Sequence, residues 1–310
     1  MQQPFFSRLA NSKVVLLAGA GGGYDIYCGL PLYHWLVAQG KTVHLANLAF
    51  TNLSRCSGDF PVDSLLRVDL HTSGPASYFP ELHLCAFLGG TPIYAIGNAG
   101  AAAVARAYEW LVDELHPDTL LLIDGGTDIL MRGDEQDLGT PEEDCSSLLA
   151  AWDALVPEKL VACLGFGIDS FHGVCHAHFL ENVAALIQDG GFLGSWALTR
   201  DTAEYEFFRE ACRYCFKLMP DSPSIVNGSV LTATEGGFGD LHSTSRTRGS
   251  ELFINPLMSL YWGFDLDKLA ERNLYLPRLR DKLSRNETSL AIDKFHASLA
   301  RHRKPRLIPH

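Results

Sequence analysis

Short apolar runs alternate with segments of helical periodicity along most of the chain. The first run, VVLLAG at residues 14–19, is followed by an apolar helical pattern and by a second run, TVHLANLA, at residues 42–49. Nearly continuous apolar runs are typical of strands in a parallel sheet that is covered on both faces. The pattern therefore predicts an α/β fold, in which a mainly parallel sheet lies between helical layers in a Rossmann-like three-layer sandwich.

The same alternation continues to about residue 220. Predicted strands cover residues 118–126, 158–167 and 192–198, and predicted helices cover residues 101–116, 140–155, 177–191 and 202–219. From residue 221 the chain is rich in glycine, serine and threonine before a charged helical end. We expect one α/β domain over residues 1–310, with a parallel core over 1–220 and a C-terminal cap or lid with terminal helices over 221–310.

Composition and charge narrow the class of protein. A net charge of −11 argues against nucleic-acid binding, and the one basic cluster, the tail RHRKPRLIPH, is predicted to be solvated. No apolar run reaches the roughly 18 residues of a membrane span, and the start of the chain lacks a signal peptide's apolar region. Eight scattered cysteines fit a reducing compartment. These features predict a cytoplasmic protein with a small-molecule partner, and they leave a homo-oligomer open.

A glycine-rich segment, GAGGGYD, follows the first predicted strand. Gly21, Gly22 and Gly23, whose backbone N–H groups could approach an anionic substrate, are predicted substrate contacts, and Asp25 is predicted to contact the substrate with them. The segment departs from the dinucleotide fingerprint, because its sixth position is not glycine and the second strand offers Asn47 instead of an acid. It also lacks the lysine of a Walker loop. An anion cradle and a simple tight turn both remain open.

A second polar segment, LLLIDGGTDILMRGDE at residues 120–135, turns from a strand into acidic residues. We call residues 124–135 the acidic elbow. Asp124 and Asp128 are predicted metal ligands, and Thr127 and Arg132 are predicted substrate contacts. In the alternative interpretation, Asp124 caps a helix and the other acids pair with Arg132 in solvent.

A third segment, GFGIDSFHGVCHAHF at residues 165–179, follows the next predicted strand. His172 and His176 are four residues apart, so one helical turn would bring both imidazoles to one side, next to Asp169. Histidine with carboxylate suits a metal ion or a general base. We therefore predict Asp128, Asp169, His172 and His176 as catalytic residues, and the same four with Asp124 as ligands of a divalent metal ion of unknown identity.

The late segment supplies further candidate substrate contacts. Arg246 is predicted to hold the anionic end of a substrate, since its guanidinium suits carboxylate or phosphate. The other predicted contacts are polar residues on both sides of it: Asn227, Thr247, Ser250 and Asn255. An ordinary surface loop is the alternative interpretation.

Four stretches carry a resemblance to a known family. LAGAGGGYD, LIDGGTDILMRGDE with GTPEED, GFGIDSFHGVCHAHFLENVA and SRTRGSELFINPLMSLYWGFD together resemble the family called domain of unknown function 1152. The resemblance implies a single α/β domain and no particular activity. LLLIDGGTD is also similar to the strand-end aspartates of arginase-like metal hydrolases, where Asp124 and Asp128 match the aspartates of a D-x-H-x-D motif and Gly126 replaces the histidine.

The strand-end residues favour an enzyme that acts on a small polar metabolite, anionic or amino-acid-like. The predicted reaction is metal-assisted or acid–base hydrolysis of a C–N bond. One alternative is a nucleotide-dependent ligase or phosphotransferase that uses Mg²⁺ and binds a nucleotide. The second alternative is a ligand-binding module without catalysis.

Overall fold

Nine strands form the main sheet in the computed structural model, which describes residues 3–281 and 284–308. The strands are β1 (Val14–Gly19), β2 (Thr42–Ala49), β3 (Asp59–Val62), β4 (Leu65–Val68), β5 (Ile93–Gly97), β6 (Thr119–Gly125), β7 (Glu158–Leu164), β8 (Phe192–Ala197), β9 (Gly239–Asp240), β10 (Phe253–Ile254) and β11 (Leu260–Asp265). The short strands β9 and β10 pair with each other in a separate two-stranded sheet. All the others belong to the main sheet.

The order of the main sheet is β3-β4-β5-β2-β1-β6-β7-β11-β8. Its five central strands, β5, β2, β1, β6 and β7, are parallel, as the continuous apolar runs predict. The edge strands β3 and β4 are antiparallel to their neighbours. The sheet is therefore mixed but mostly parallel.

The segment predicted as a cap contributes directly to this sheet. β11 lies between β7 and β8 and is antiparallel to both. Tyr261 pairs with Leu164 of β7 and with Trp196 of β8. The segment predicted as a cap therefore supplies one strand of the main sheet as well as the excursion around β9 and β10.

Helices cover both faces of the sheet. They are α1 (Pro4–Leu9), α2 (Asp25–Cys28), α3 (Leu30–Ala38), α4 (Pro80–Phe87), α5 (Ala101–Leu115), α6 (Pro141–Asp153), α7 (His176–Gln188), α8 (Ala203–Leu218), α9 (Ile225–Thr234), α10 (Leu266–Arg272) and α11 (Arg285–Ala297). Alternate residues of β1 enter different cores: Leu16 and Ala18 pack with α5, α6, α7 and α11, whereas Val15 and Leu17 pack with α1, α3, α4 and α8. This arrangement confirms the predicted three layers.

The strand order reverses direction between β1 and β6. From β1 the chain moves outward through β2 to β5, and it then returns to build β6 and β7 on the other side of β1. Crossovers on opposite sides of two neighbouring strands leave a crevice at their carboxyl ends, where open α/β sheets bind ligands. The glycine-rich segment and the acidic elbow both begin at this crevice.

The tail predicted to be solvated is instead partly docked. The side chain of Arg303 pairs with three carboxylates and is 32% exposed. Leu307 near the end is 88% exposed. The prediction of a free tail is therefore wrong for the part around Arg303.

No helix in the described part of the chain combines the length and apolar character needed to cross a membrane.

Candidate functional site

A cavity of about 500 Å³ lies at the carboxyl ends of β1 and β6. We call it the acid cavity, because five aspartates line it: Asp25, Asp124, Asp128, Asp144 and Asp169. Each of them is at most 9% exposed. The acid cavity therefore occupies the reversal point of the sheet and concentrates negative charge there.

The glycine-rich segment folds around its own acid. The amide of Gly21 donates to Asp25 Oδ2 at 2.6 Å, and the amide of Gly23 donates to the carbonyl of Leu48 at 3.0 Å. These amides are therefore already used within the protein. The geometry favours the tight turn over the anion cradle, although Gly21, Gly22 and Gly23 do line the acid cavity as predicted.

Glycines in the elbow make room for the carboxylates. A Cβ atom on Gly125 would lie 2.6 Å from Asp25 Oδ1, and one on Gly126 would lie 2.7 Å from Asp169 Oδ1. Gly126 also has a φ of +146°, which disfavours any other residue. Glycines therefore occupy these positions of the elbow because carboxylates from other segments pack against its backbone.

Asp128 and Asp169 are each held by a threonine. Thr140 donates to Asp128 Oδ2 from its amide at 2.7 Å and from its hydroxyl at 2.9 Å. Thr127 does the same for Asp169 Oδ2, at 2.6 and 3.2 Å. Thr127, predicted to contact substrate, therefore orients a cavity carboxylate, and Thr140 makes no cap bond to α6.

Asp124 and Asp144 contrast with that pair because they have carboxylate oxygens without partners. Asp124 Oδ2 and both carboxylate oxygens of Asp144 are buried, and none has a hydrogen-bond partner among the described residues. Burial, together with the negative charge of neighbouring aspartates, raises the pKa of both carboxyl groups well above the ordinary range. Leaving buried carboxylates uncompensated is costly, so this pair needs a counter-charge or protons.

The arrangement of three aspartates fits a divalent cation. Asp25, Asp124 and Asp144 each offer a carboxylate oxygen, and these oxygens all lie within 4.8 Å of one another. An all-oxygen set of this kind suits a hard ion such as Mg²⁺ or Mn²⁺. Of the predicted metal ligands, only Asp124 belongs to this group, and Asp128, Asp169, His172 and His176 do not.

The rim of the acid cavity is less acidic. His172 and Arg246, both predicted, reach it, and Phe50 and Tyr78 add aromatic surface. The side chain of Arg246 is exposed and donates to the carbonyl of Pro223 at 3.3 Å. The cavity therefore has an acidic floor and one arginine at its opening.

His176 does not join this site. His172 ends a short 3₁₀ helix, Gly173 follows with a φ of +83°, and His176 begins α7, so the predicted single helical turn does not form. The His176 ring lies 5.0 Å from the ring of Phe166 and lines a separate pocket beneath the C-terminal tail. The prediction that both imidazoles face one side of a helix is wrong.

Two predicted substrate contacts serve the protein's own structure. Arg132 lies outside the lining of the acid cavity and pairs with Asp134 at 3.5 Å. Asn227 is fully buried, and its side-chain Nδ2 donates to the carbonyl of Tyr24 at 3.2 Å. Asn227 therefore ties α9 to the turn that follows β1.

The remaining predicted contacts brace the late segment. Thr247 is buried and bonds the ring of His242 at 2.7 Å, and Ser250 donates to the carbonyl of Thr247 at 2.8 Å. Asn255 accepts from the amide of Leu257 at 3.0 Å. None of the three lines the acid cavity, because their side chains close local turns instead.

Asp144 is the residue of this site that the sequence does not reveal. It lies in the first turn of α6 with Glu142 and Glu143. Acids in a helix's first turn ordinarily interact with the helix dipole, so three together give no signal of a site. The one available hint is position, since this turn follows the acidic elbow closely along the chain.

The fold and the acid cavity define a mostly parallel α/β protein with a carboxylate-lined crevice at the reversal point of its sheet. The model of the family described as "Protein of unknown function (DUF1152)" matches residues 73–295, more than half of the chain. The chain belongs to this family, which confirms the resemblance. No curated protein and no solved structure matches the chain, and the similarity to arginase-like hydrolases has no support of this kind. The matched region contains four cavity aspartates, and Asp25 precedes it.

Proposed function

We propose that this protein is a divalent-cation-dependent hydrolase that cleaves a C–N bond in a small polar metabolite. One observation carries the proposal: Asp25, Asp124 and Asp144 converge in a cavity, and one oxygen of Asp124 and both oxygens of Asp144 have no partner in the described protein. A cation of suitable size would supply the missing counter-charge.

The residues around the triad have distinct roles in this proposal. Asp25, Asp124 and Asp144 would hold the ion, which when bound would polarise the scissile group and lower the pKa of an attacking water. His172 would accept a proton from that water at an imidazole nitrogen. Arg246 at the opening would bind the carboxylate end of the substrate.

Asp169 is suited to protonate the leaving nitrogen. Burial and the nearby charge of Asp128 raise the pKa of Asp169 well above its ordinary range, which favours a protonated carboxyl. A protonated acid beside a departing amine would lower the barrier to breaking the C–N bond. This feature supports C–N hydrolysis over chemistry that needs no acid.

The nucleotide-dependent alternative has less support. No lysine is among the residues that line the acid cavity, and the amides of Gly21 and Gly23 are engaged within the protein. Phosphoryl transfer relies on such groups to hold phosphates. We also keep the cytoplasm as the proposed compartment, since all eight cysteines are free thiols.

Binding of Mn²⁺ tests the proposal directly. Equilibrium dialysis with metal analysis should find about one tightly held ion per chain, and Asp144→Asn should weaken binding by about 100-fold or more. Asp153→Asn, at the other end of the same helix, is the matched control and should bind like the natural protein. Equal binding by all three proteins, or none by the natural one, would reject the cation site.

Turnover tests the reaction class. With Mn²⁺ present, amine or ammonia release should be measured for N-acyl amino acids, ureido acids and amidines. Release that depends on the ion and on Asp169, lost in Asp169→Asn, is the expected result. Hydrolysis of ATP without release from any of these substrates would favour the nucleotide-dependent alternative instead.

A further inference from the structure

A second acidic cluster lies outside the acid cavity. Its members are Asp134, Glu135 and Glu181, and we call it the outer cluster. Arg303 of the C-terminal tail contacts all three: Nη2 lies 2.8 Å from Asp134 Oδ1 and 2.6 Å from Glu135 Oε1, and Nη1 lies 2.6 Å from Glu181 Oε2. One guanidinium therefore bridges three carboxylates that would otherwise repel one another.

The backbone fixes Arg303 in the same place. Its amide donates to the carbonyl of Asp134 at 2.8 Å, and its carbonyl accepts from the amide of Gln136 at 2.9 Å. This pairing makes a short parallel bridge with the end of the acidic elbow. Arg303 is therefore held by its main chain as well as by its side chain.

Glu135 connects this contact to the elbow. Its side chain is fully buried and accepts from the amides of Arg132 at 3.0 Å and Gly133 at 2.8 Å. Only Met131 separates these two residues from the short 3₁₀ helix that begins with Asp128. Because Arg303 fixes Glu135, it also fixes the turn that places Asp128 in the acid cavity.

Glu181 connects the contact to the other side of the acid cavity. It lies on α7, which follows the short helix that carries Asp169. The tail adds contacts to the same region: the ring of His178 bonds the carbonyl of Lys304 at 3.1 Å. Arg303 therefore joins the two segments that supply Asp128 and Asp169.

We propose that Arg303 is a positioning residue, which clamps the acidic elbow against α7 and so fixes the spacing of Asp128 and Asp169 in the acid cavity. The contacts alone predict the clamp. Its effect on a bound cation rests on the proposed function.

Hydrogen exchange tests the clamp without any metal. In Arg303→Met, amides of residues 126–136 and 165–175 should exchange at least about tenfold faster than in the natural protein. Arg280→Met is the matched control, because Arg280 also pairs with an aspartate, Asp153 at 2.6 Å, but at an exposed site. Unchanged exchange in both regions, or equal acceleration in the control, would overturn the proposal.

Mn²⁺ affinity tests the consequence for the acid cavity. Asp124, a proposed ligand of the ion, begins the acidic elbow that Arg303 clamps, so Arg303→Met should weaken binding by about tenfold and Arg280→Met should not. Arg303→Lys should recover part of the loss and also serves if the methionine variant does not fold, since lysine keeps the charge but cannot bridge three carboxylates. A lower melting temperature with an unchanged Mn²⁺ dissociation constant would reduce Arg303 to a stabilising role. If the natural protein binds no Mn²⁺, the proposed function fails, and hydrogen exchange still decides the clamp.

Discussion

The acid cavity and the outer cluster are built from overlapping stretches of chain. Both bury carboxylates, but they differ in how the buried negative charge is compensated. Each contains an almost fully buried acid: Asp124 in the cavity is 2% exposed and Glu135 in the outer cluster is 0% exposed. In the outer cluster, Arg303 supplies the counter-charge. Among the described residues, no arginine or lysine pairs with Asp124 or Asp144.

This difference shows that burial alone does not distinguish a site from a structural acid. A buried carboxylate with an arginine partner is complete within the protein. One without a partner must be neutralised by protons or by a cation from solvent. Three predictions distinguish a carboxylate that has an arginine partner from one that is neutralised by protons or by a cation, starting from the largest expected change in stability.

Removing the charge of Glu135 should strongly destabilise the protein. Glu135→Gln should lower the free energy of unfolding by about 4 kcal/mol, since Arg303 loses a buried counter-charge and the amide donors of the elbow lose an acceptor. Urea denaturation measures the change. Asp153→Asn, which breaks an exposed pair, should cost less than about 1 kcal/mol. Similar losses in both variants would contradict the contrast between the clusters.

Much of the fold follows from local pattern. Apolar runs locate β1, β6 and β7, and these are neighbours in the sheet as a parallel α/β fold requires. For that reason Asp25, Asp124, Asp128 and Asp169, which lie at or after the carboxyl end of a strand in the sequence, also meet in space. Their chemical roles stay predictions, but their proximity is a consequence of the strand order.

What could not be predicted depends on contacts between distant residues. The position of β11 between β7 and β8 is set by pairing that its own short apolar run does not encode. Arg303 contacts Glu135, which is 168 positions away along the chain. The sequence of a basic tail is therefore the same whether the tail docks on the protein or stays in solvent. Asp144 resembles an ordinary helix-start acid because its neighbours in space come from other segments.

Glu81 is a third buried acid, and protonation alone can neutralise it. Glu81 is fully buried. Its Oε1 accepts from the side-chain Nδ2 of Asn47 at 2.7 Å, and its Oε2 has no partner in the described protein. Burial raises the pKa of Glu81 from its ordinary 4.5 to about 7. Unlike Asp124 and Asp144, it has no second unpartnered carboxylate beside it among the described residues with which to share a cation.

This raised pKa predicts a pH dependence of stability. Between pH 4.5 and 7 the folded protein keeps the proton on Glu81 and the unfolded chain releases it, so the contribution is complete below pH 4.5 and is lost as pH rises through 7. The loss should be about 3 kcal/mol. Urea denaturation across this range should show that Glu81→Gln reduces the decline by about that amount. Parallel pH profiles for the two proteins would mean that Glu81 titrates normally.

The smallest expected change is the most informative about the acid cavity, because its sign depends on the ion. Without metal at pH 8, Asp144→Asn should raise the free energy of unfolding by about 1 kcal/mol, since it removes one of several mutually repelling carboxylates. With Mn²⁺ at 100 times its dissociation constant, the natural protein should gain about 2.7 kcal/mol and the variant almost nothing, so their order reverses. Protons as the only counter-charge would give no reversal, because a neutral asparagine would replace a neutral acid with or without Mn²⁺. A gain from Mn²⁺ that is equal in both proteins would place the ion away from Asp144, and the contrast with the Arg303 cluster would then have to be explained by protonation.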